Sequence, residues 1–94
     1  MGIEFDKRVR PASHVLVSNL EGESVLLNLE SEAYFGLDPV GSQMWSVLST
    51  SDSIEAAYEV LQQKYEVDGR ELRADLAELI EKLMEHELVE ISGQ

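Results

Sequence analysis

The side chains of this 94-residue chain that could do chemistry are His14 and His86, the carboxylates recurring from Asp68 to Glu87, and the serines Ser42, Ser46, Ser49, Ser51 and Ser53. A metal site needs clustered ligands at set spacings, and the two histidines stand alone, one at the start of an expected strand and one at the end of an expected helix. His86 there is explained by the helix dipole, which favours positive charge at a C-terminus. A paired-carboxylate centre needs two acids inside an apolar pocket. Asp68, Glu71, Asp75, Glu78, Glu81, Glu85 and Glu87 instead fall mostly off the Leu72-Leu76-Leu79-Leu83 stripe, as on a solvated helix face. No glycine elbow surrounds any serine, and no GxGxxG or P-loop pattern occurs. With no cysteine, disulfides and thiolate metal sites are excluded. The expectation is a protein that is not an enzyme and holds no metal or cofactor.

Charge narrows the partners. The net charge is −12; residues 1–10 carry three basic and two acidic side chains, and the rest four basic and 17 acidic. Such a surface repels phosphate backbones and anionic headgroups. No apolar run approaches the roughly 20 residues that span a bilayer, and MGIEFDKRVRP has no apolar segment after its charges. A cytoplasmic protein that binds neither nucleic acid nor membrane is expected.

The elements that must position a site are legible as strands first and helices after. Residues 1–13 read as a flexible lead-in, with Pro11 delaying regular structure, ahead of a single domain over 14–94. His14–Asn19 places Val15 and Val17 on one face, the period of a half-buried strand. Leu20-Glu21-Gly22-Glu23 reads as a turn, and in the next strand Val25, Leu27 and Leu29 alternate with Ser24, Leu26 and Asn28. A third strand over Ala33–Asp38 turns Phe35 and Leu37 to one side and Tyr34 and Gly36 to the other. Tyr34 then either covers the sheet or forms an aromatic wall beside an exposed strand edge.

Asp38 suits an N-cap and Pro39 the first helical position. Val40, Met44, Val47 and Leu48 predict one apolar stripe, with Gly41 leaving room beside Trp45. A second helix is expected from near Ser53, where Asp52 and Glu55 are spaced for a capping box; its stripe is Ile54, Ala57, Tyr58, Leu61 and Tyr65. A third runs from an Asp68–Glu71 capping box, with Val67 and Leu72 as a hydrophobic staple, to about Glu85. Leu88–Ile91 could close the domain as a short strand. This order predicts an α+β fold, winged helix-turn-helix-like, with a three-stranded antiparallel sheet followed by three helices. Arg73 either offsets acidic neighbours or stands as a lone positive anchor.

LNLESEAYFGLDPVGSQMWSVL (residues 27–48), with its glycine four residues before a tryptophan, and DLAELIEKLMEHELVEI (residues 75–91) resemble the PqqD family over about His14 to Ile91. YFGLDPVG is most similar to stand-alone recognition proteins of split lasso-peptide systems. The resemblance implies a non-catalytic adaptor for ribosomally made precursor peptides, in which the leader adds to the third strand's edge and lies against the third helix. Carried onto this chain, those positions are Glu32, Ala33, Tyr34, Phe35, Gly36 and Leu37, with Arg73, Leu76, Ala77 and Ile80. The implied partners are the leader and a processing enzyme, a leader peptidase if lasso-type or a radical-forming modification enzyme if cofactor-type. The third helix departs from what an acidic leader would need: outside Arg70, Arg73 and Lys82 it is rich in glutamate. Two other readings compete, a structural module bound to a larger subunit and a winged-helix DNA-binding regulator. Against the regulator, residues 68–87 hold three basic and seven acidic side chains, whereas a recognition helix must approach phosphates.

Overall fold

The computed structural model describes residues 4–92. Its elements run β1 (Arg8–Pro11), β2 (Val15–Leu20), β3 (Glu23–Asn28), β4 (Tyr34–Gly36), α1 (Pro39–Thr50), α2 (Ile54–Lys64), α3 (Gly69–Glu85) and β5 (Val89–Ser92). This is the expected α+β arrangement, an antiparallel sheet of order β2-β3-β4 followed by three helices. The β2–β3 connection puts Glu21 at φ 52° and Gly22 at φ 84°. Two successive positive φ values match the right-handed twist of paired strands, as in a type I′ hairpin.

One expectation is overturned at the N-terminus. Part of the segment read as a flexible lead-in is β1, which pairs antiparallel with β5 from Arg8↔Ser92 to Pro11↔Val89. Val9 is buried in the core. Upstream, the carbonyls of Phe5 and Lys7 accept the N–H groups of Glu55 and Ile54, both at 2.8 Å. Those are donors that the first turn of α2 cannot satisfy within the helix. Pro11 does not interrupt β1, because a proline at a strand end need not donate to the ladder.

The helix starts follow local chemistry, with small shifts from expectation. Asp38 accepts from the Gly41 N–H at 2.7 Å, ahead of Pro39. Ser53, rather than Asp52, caps α2 through the Ala56 N–H. Asp68 caps α3 through Arg70, and Val67 stays exposed. At the far end His86 is the C-cap, and Glu87 takes a left-handed φ of 57° as Leu88 bonds back to Leu83.

Burial reassigns the face of α1 and decides that of β3. In α1 the buried side is Ser42, Met44, Trp45 and Leu48, while Val40 is 53% exposed. A Cβ at Gly41 would meet Asp38 Oδ1 at 3.1 Å and the Leu37 side chain at 3.6 Å, so this glycine makes room for the strand end rather than for Trp45. In β3 the buried side is Ser24, Leu26 and Asn28. Its two polar members are partnered: Asn28 Oδ1 accepts from Glu30 and Ser31, and Ser24 Oγ donates to Asn19.

Ser42 has the most consequential of these bonds. Leu37 N–H donates to Ser24 C=O at 2.9 Å, and a continued ladder would return a bond from Ser24 N–H to Leu37 C=O. Instead Ser24 N–H donates to Ser42 Oγ at 2.7 Å, and that hydroxyl donates to Leu37 C=O at 3.2 Å. A buried helix side chain thereby splices into the sheet where β4 leaves it. Ser42→Ala removes the relay and orphans a buried donor, so it should cost about 1–3 kcal/mol. Urea unfolding should show a lower midpoint with an unchanged slope; an unaltered midpoint would mean the ladder simply closes.

Candidate functional site

β4 has one neighbour, β3, with Leu27↔Tyr34, Leu26↔Phe35 and Val25↔Gly36 opposite one another. Ala33 C=O accepts from Asn28 and Leu37 N–H donates to Ser24, so residues 33, 35 and 37 turn their main-chain groups toward β3. Alternation turns the N–H and C=O of Tyr34 and Gly36 to the free edge. Side chains alternate in the other plane: Leu37 is buried, Phe35 half-buried, and Tyr34 lies 75% exposed on the opposite face. The expected split of that strand is what the structure holds.

Beside the edge lies an open groove of about 310 Å³. Phe35, Leu37, Val40, Met44 and Leu79 make its apolar surface, and Asp38, Asp75, Glu78 and Lys82 bring charge. At the C-terminal end of α3 the His86 ring lies 5.0 Å from the Phe35 ring. A smaller hollow of about 250 Å³, between the β2–β3 turn and α1, is lined by Asn19, Gly22, Ser24, Ser42, Gln43 and Ser46. It offers no apolar side chain to anchor a ligand.

The α3 residues named from sequence are not the ones that border this groove. At 100° per residue, Asp75, Leu79 and Lys82 follow one flank of the buried Leu72-Leu76-Ile80-Leu83 stripe, and Arg73 and Ala77 follow the other. Leu76 and Ile80 are themselves fully buried. Arg73 reaches Glu55 Oε1 at 2.9 Å and lies over the rings of Phe5 and Tyr58, at 4.4 and 4.6 Å from their centroids. It clamps the N-terminal segment onto α2 and α3. At the start of β4, Glu32 and Ala33 are exposed, and Glu32 has a left-handed φ of 62°. Asp75, Glu78, Leu79 and Lys82 are the groove residues that sequence reasoning missed as a set. Their signal was the spacing from Asp75 through Leu79 to Lys82, which follows one flank of the stripe just as Arg73 and Ala77 follow the other.

The histidines are occupied in the fold. His14 Nε2 is 3.0 Å from Glu87 O, and His86 Nδ1 is 2.8 Å from Lys82 O. Among the described residues no group of three or more His, Cys, Asp or Glu could hold a metal ion, and no helix is long and apolar enough to cross a membrane.

The sequence profile described as coenzyme PQQ synthesis protein D (PqqD) matches residues 23–89, from β3 to the start of β5. The chain belongs to the PqqD family. Two solved structures extend the likeness to three dimensions. A complex of TbiB1 with the TbiA(beta) leader peptide is 33% identical, covering 86% of this chain and 94% of that one with a TM-score of 0.80. A lasso peptide synthetase B1 complexed with its leader peptide is 24% identical, covering 90% and 98% with a TM-score of 0.76, and shares the fold. No match is found among curated proteins.

Within this PqqD-family domain, Arg73 has a structural job that can be separated from the groove. A cation over aromatic faces contributes about 0.5–2 kcal/mol, and its half-exposed pair with Glu55 adds less than about 1 kcal/mol. Arg73→Ala should lower the melting temperature by several degrees, while amide shifts of Phe35–Leu37 and Leu79 stay in place. Groove-wide shift changes in that variant would assign Arg73 to the site.

Proposed function

We propose that this protein is a non-catalytic recognition adaptor that binds the leader of a ribosomally made precursor peptide and delivers it to a processing enzyme. The observation that carries the proposal is the free edge of β4 standing beside an apolar groove. It is supported by the family and by two leader-bound proteins of the same fold. A lasso-type pathway is favoured over a PQQ-type one, because one of those proteins is a lasso peptide synthetase component. The partner enzyme is then a leader peptidase; in a PQQ-type system it would be a radical-forming modification enzyme. The acidic α3 gives the DNA-binding reading no support.

Magnitudes explain why edge and groove are both needed. Tyr34 and Gly36 can exchange up to four main-chain bonds with an added strand, each with a net contribution of about 0.5–1.5 kcal/mol. Ordering a previously disordered peptide costs about 2–5 kcal/mol or more, so backbone pairing alone roughly breaks even. One or two apolar side chains seated on Leu37, Met44 and Leu79 add about 1.5–3 kcal/mol each when fully buried. The edge sets register and direction, and the pocket sets affinity.

The test is fluorescence anisotropy with a labelled leader peptide, that of TbiA(beta) serving as the probe. Leu79→Ala should weaken binding about tenfold, with a thermal melt showing that the variant is folded. Ala77→Gln, on the opposite flank of α3, should bind as the parent does. Equal binding by the parent and Leu79→Ala, with loss in Ala77→Gln, would move the site to the other flank.

A further inference from the structure

The groove's charge identifies the kind of segment it accepts, an inference that rests on the peptide-binding reading above. α3 separates its charges by flank. Arg70 and Arg73 lie on the side away from the groove by helical spacing, and Arg73 is engaged with Glu55. On the groove side Asp75, Glu78 and Lys82 follow one another at i, i+3 and i+7, two acids to one base. Lys82 lies 3.8 Å from Glu78, which offsets its charge. Asp38 adds a further carboxylate from the end of β4.

The charge is also unequal along the groove. The His86–Phe35 contact sets the C-terminal end of α3 against the middle of β4. Asp75 lies about 16 Å of helix rise before His86, on the side where the chain passes Leu37 and Asp38 into α1. Asp38 and Asp75 both line the groove away from the His86–Phe35 contact, together with Leu37, Val40, Met44 and Leu79. A second copy of this chain is a poor occupant, because each copy carries a net charge of −12. An acidic segment meets the same repulsion.

We infer that the groove selects an extended segment with inward apolar side chains and a lysine or arginine at the end nearest Asp38 and Asp75. Main-chain pairing to Tyr34 and Gly36 is indifferent to sequence, so this electrostatic wall and the apolar floor are what discriminate between peptides. Each exposed carboxylate contributes a modest factor, roughly 1.5- to 5-fold in affinity. Asp75 and Glu78 are both exposed, so they can be replaced without opening the core.

A library of random peptides about twelve residues long, displayed on phage, is selected against the immobilised full chain, and clones that Leu79→Ala fails to retain are scored. Enrichment of Lys or Arg beside apolar residues is expected, with binding that weakens several-fold as salt is raised. The Asp75→Lys/Glu78→Lys double variant should lose these clones and select Asp or Glu at the same position. Groove-dependent clones without basic enrichment, or with a preference that the double variant leaves unchanged, would overturn the charge inference and leave strand addition standing. Retention of no groove-dependent clone would overturn both.

Discussion

The Ser42 hydroxyl joins three elements at one point: Ser24 of β3, the Leu37 carbonyl at the end of β4, and α1, in which it resides. Everything proposed for this molecule depends on that junction. β4 is only three residues long and has a single neighbour, so it has little of its own to hold it flat. The relay ends the ladder without leaving a buried N–H unpaired and aims the chain into an α1 start already capped by Asp38. The strand's inner edge is firmly tied, while among the described residues no strand pairs with its outer edge. A fourth strand beside it would have left nothing for a peptide to pair with.

The same economy governs the rest of the fold. A domain this small has a limited core, and without disulfides it must close by packing alone. β1 and β5 bring the chain ends together, and the Phe5 and Lys7 carbonyls cap α2. Arg73, between Phe5, Tyr58 and Glu55, fastens that segment to the back of the helices. The groove side of α3 is thus spared from structural duty except through Leu79. That division lets one helix be a core element, a clamp and a groove wall on three different faces.

Much of the fold was legible in the sequence because its signals are local. The Glu21-Gly22 turn, the Asp38-Pro39 start and the apolar stripes of α2 and α3 each depend on neighbours within a few residues. The strand RVRP was not legible, since it is defined only by pairing with Val89–Ser92 at the other end of the chain. Nor was the inward face of β3, where Ser24 and Asn28 are buried because loop and strand donors and acceptors, far from obvious in a hydrophobic pattern, await them. For the site, the strand half could be read: Phe35 and Leu37 inward, Tyr34 and Gly36 outward. The helix half could not. Arg73-Ala77 and Asp75-Leu79 border the same stripe at equal spacing, and only the crossing of α3 over the sheet selects between them.

The proposed function requires that β4, and not the other free edge of the sheet, receive the leader. The β2 edge turns the main-chain groups of Val17 and Asn19 outward, since Leu29 N–H pairs with His14 C=O and the bonded residues alternate from there. Amide hydrogen exchange read residue by residue, with and without saturating leader peptide, separates the two directly. Tyr34 and Gly36 should exchange freely in the unbound protein and become protected on binding, while Phe35, Leu37, Val17 and Asn19 change little. Protection at Val17 and Asn19, with Tyr34 and Gly36 still exchanging freely, would contradict it.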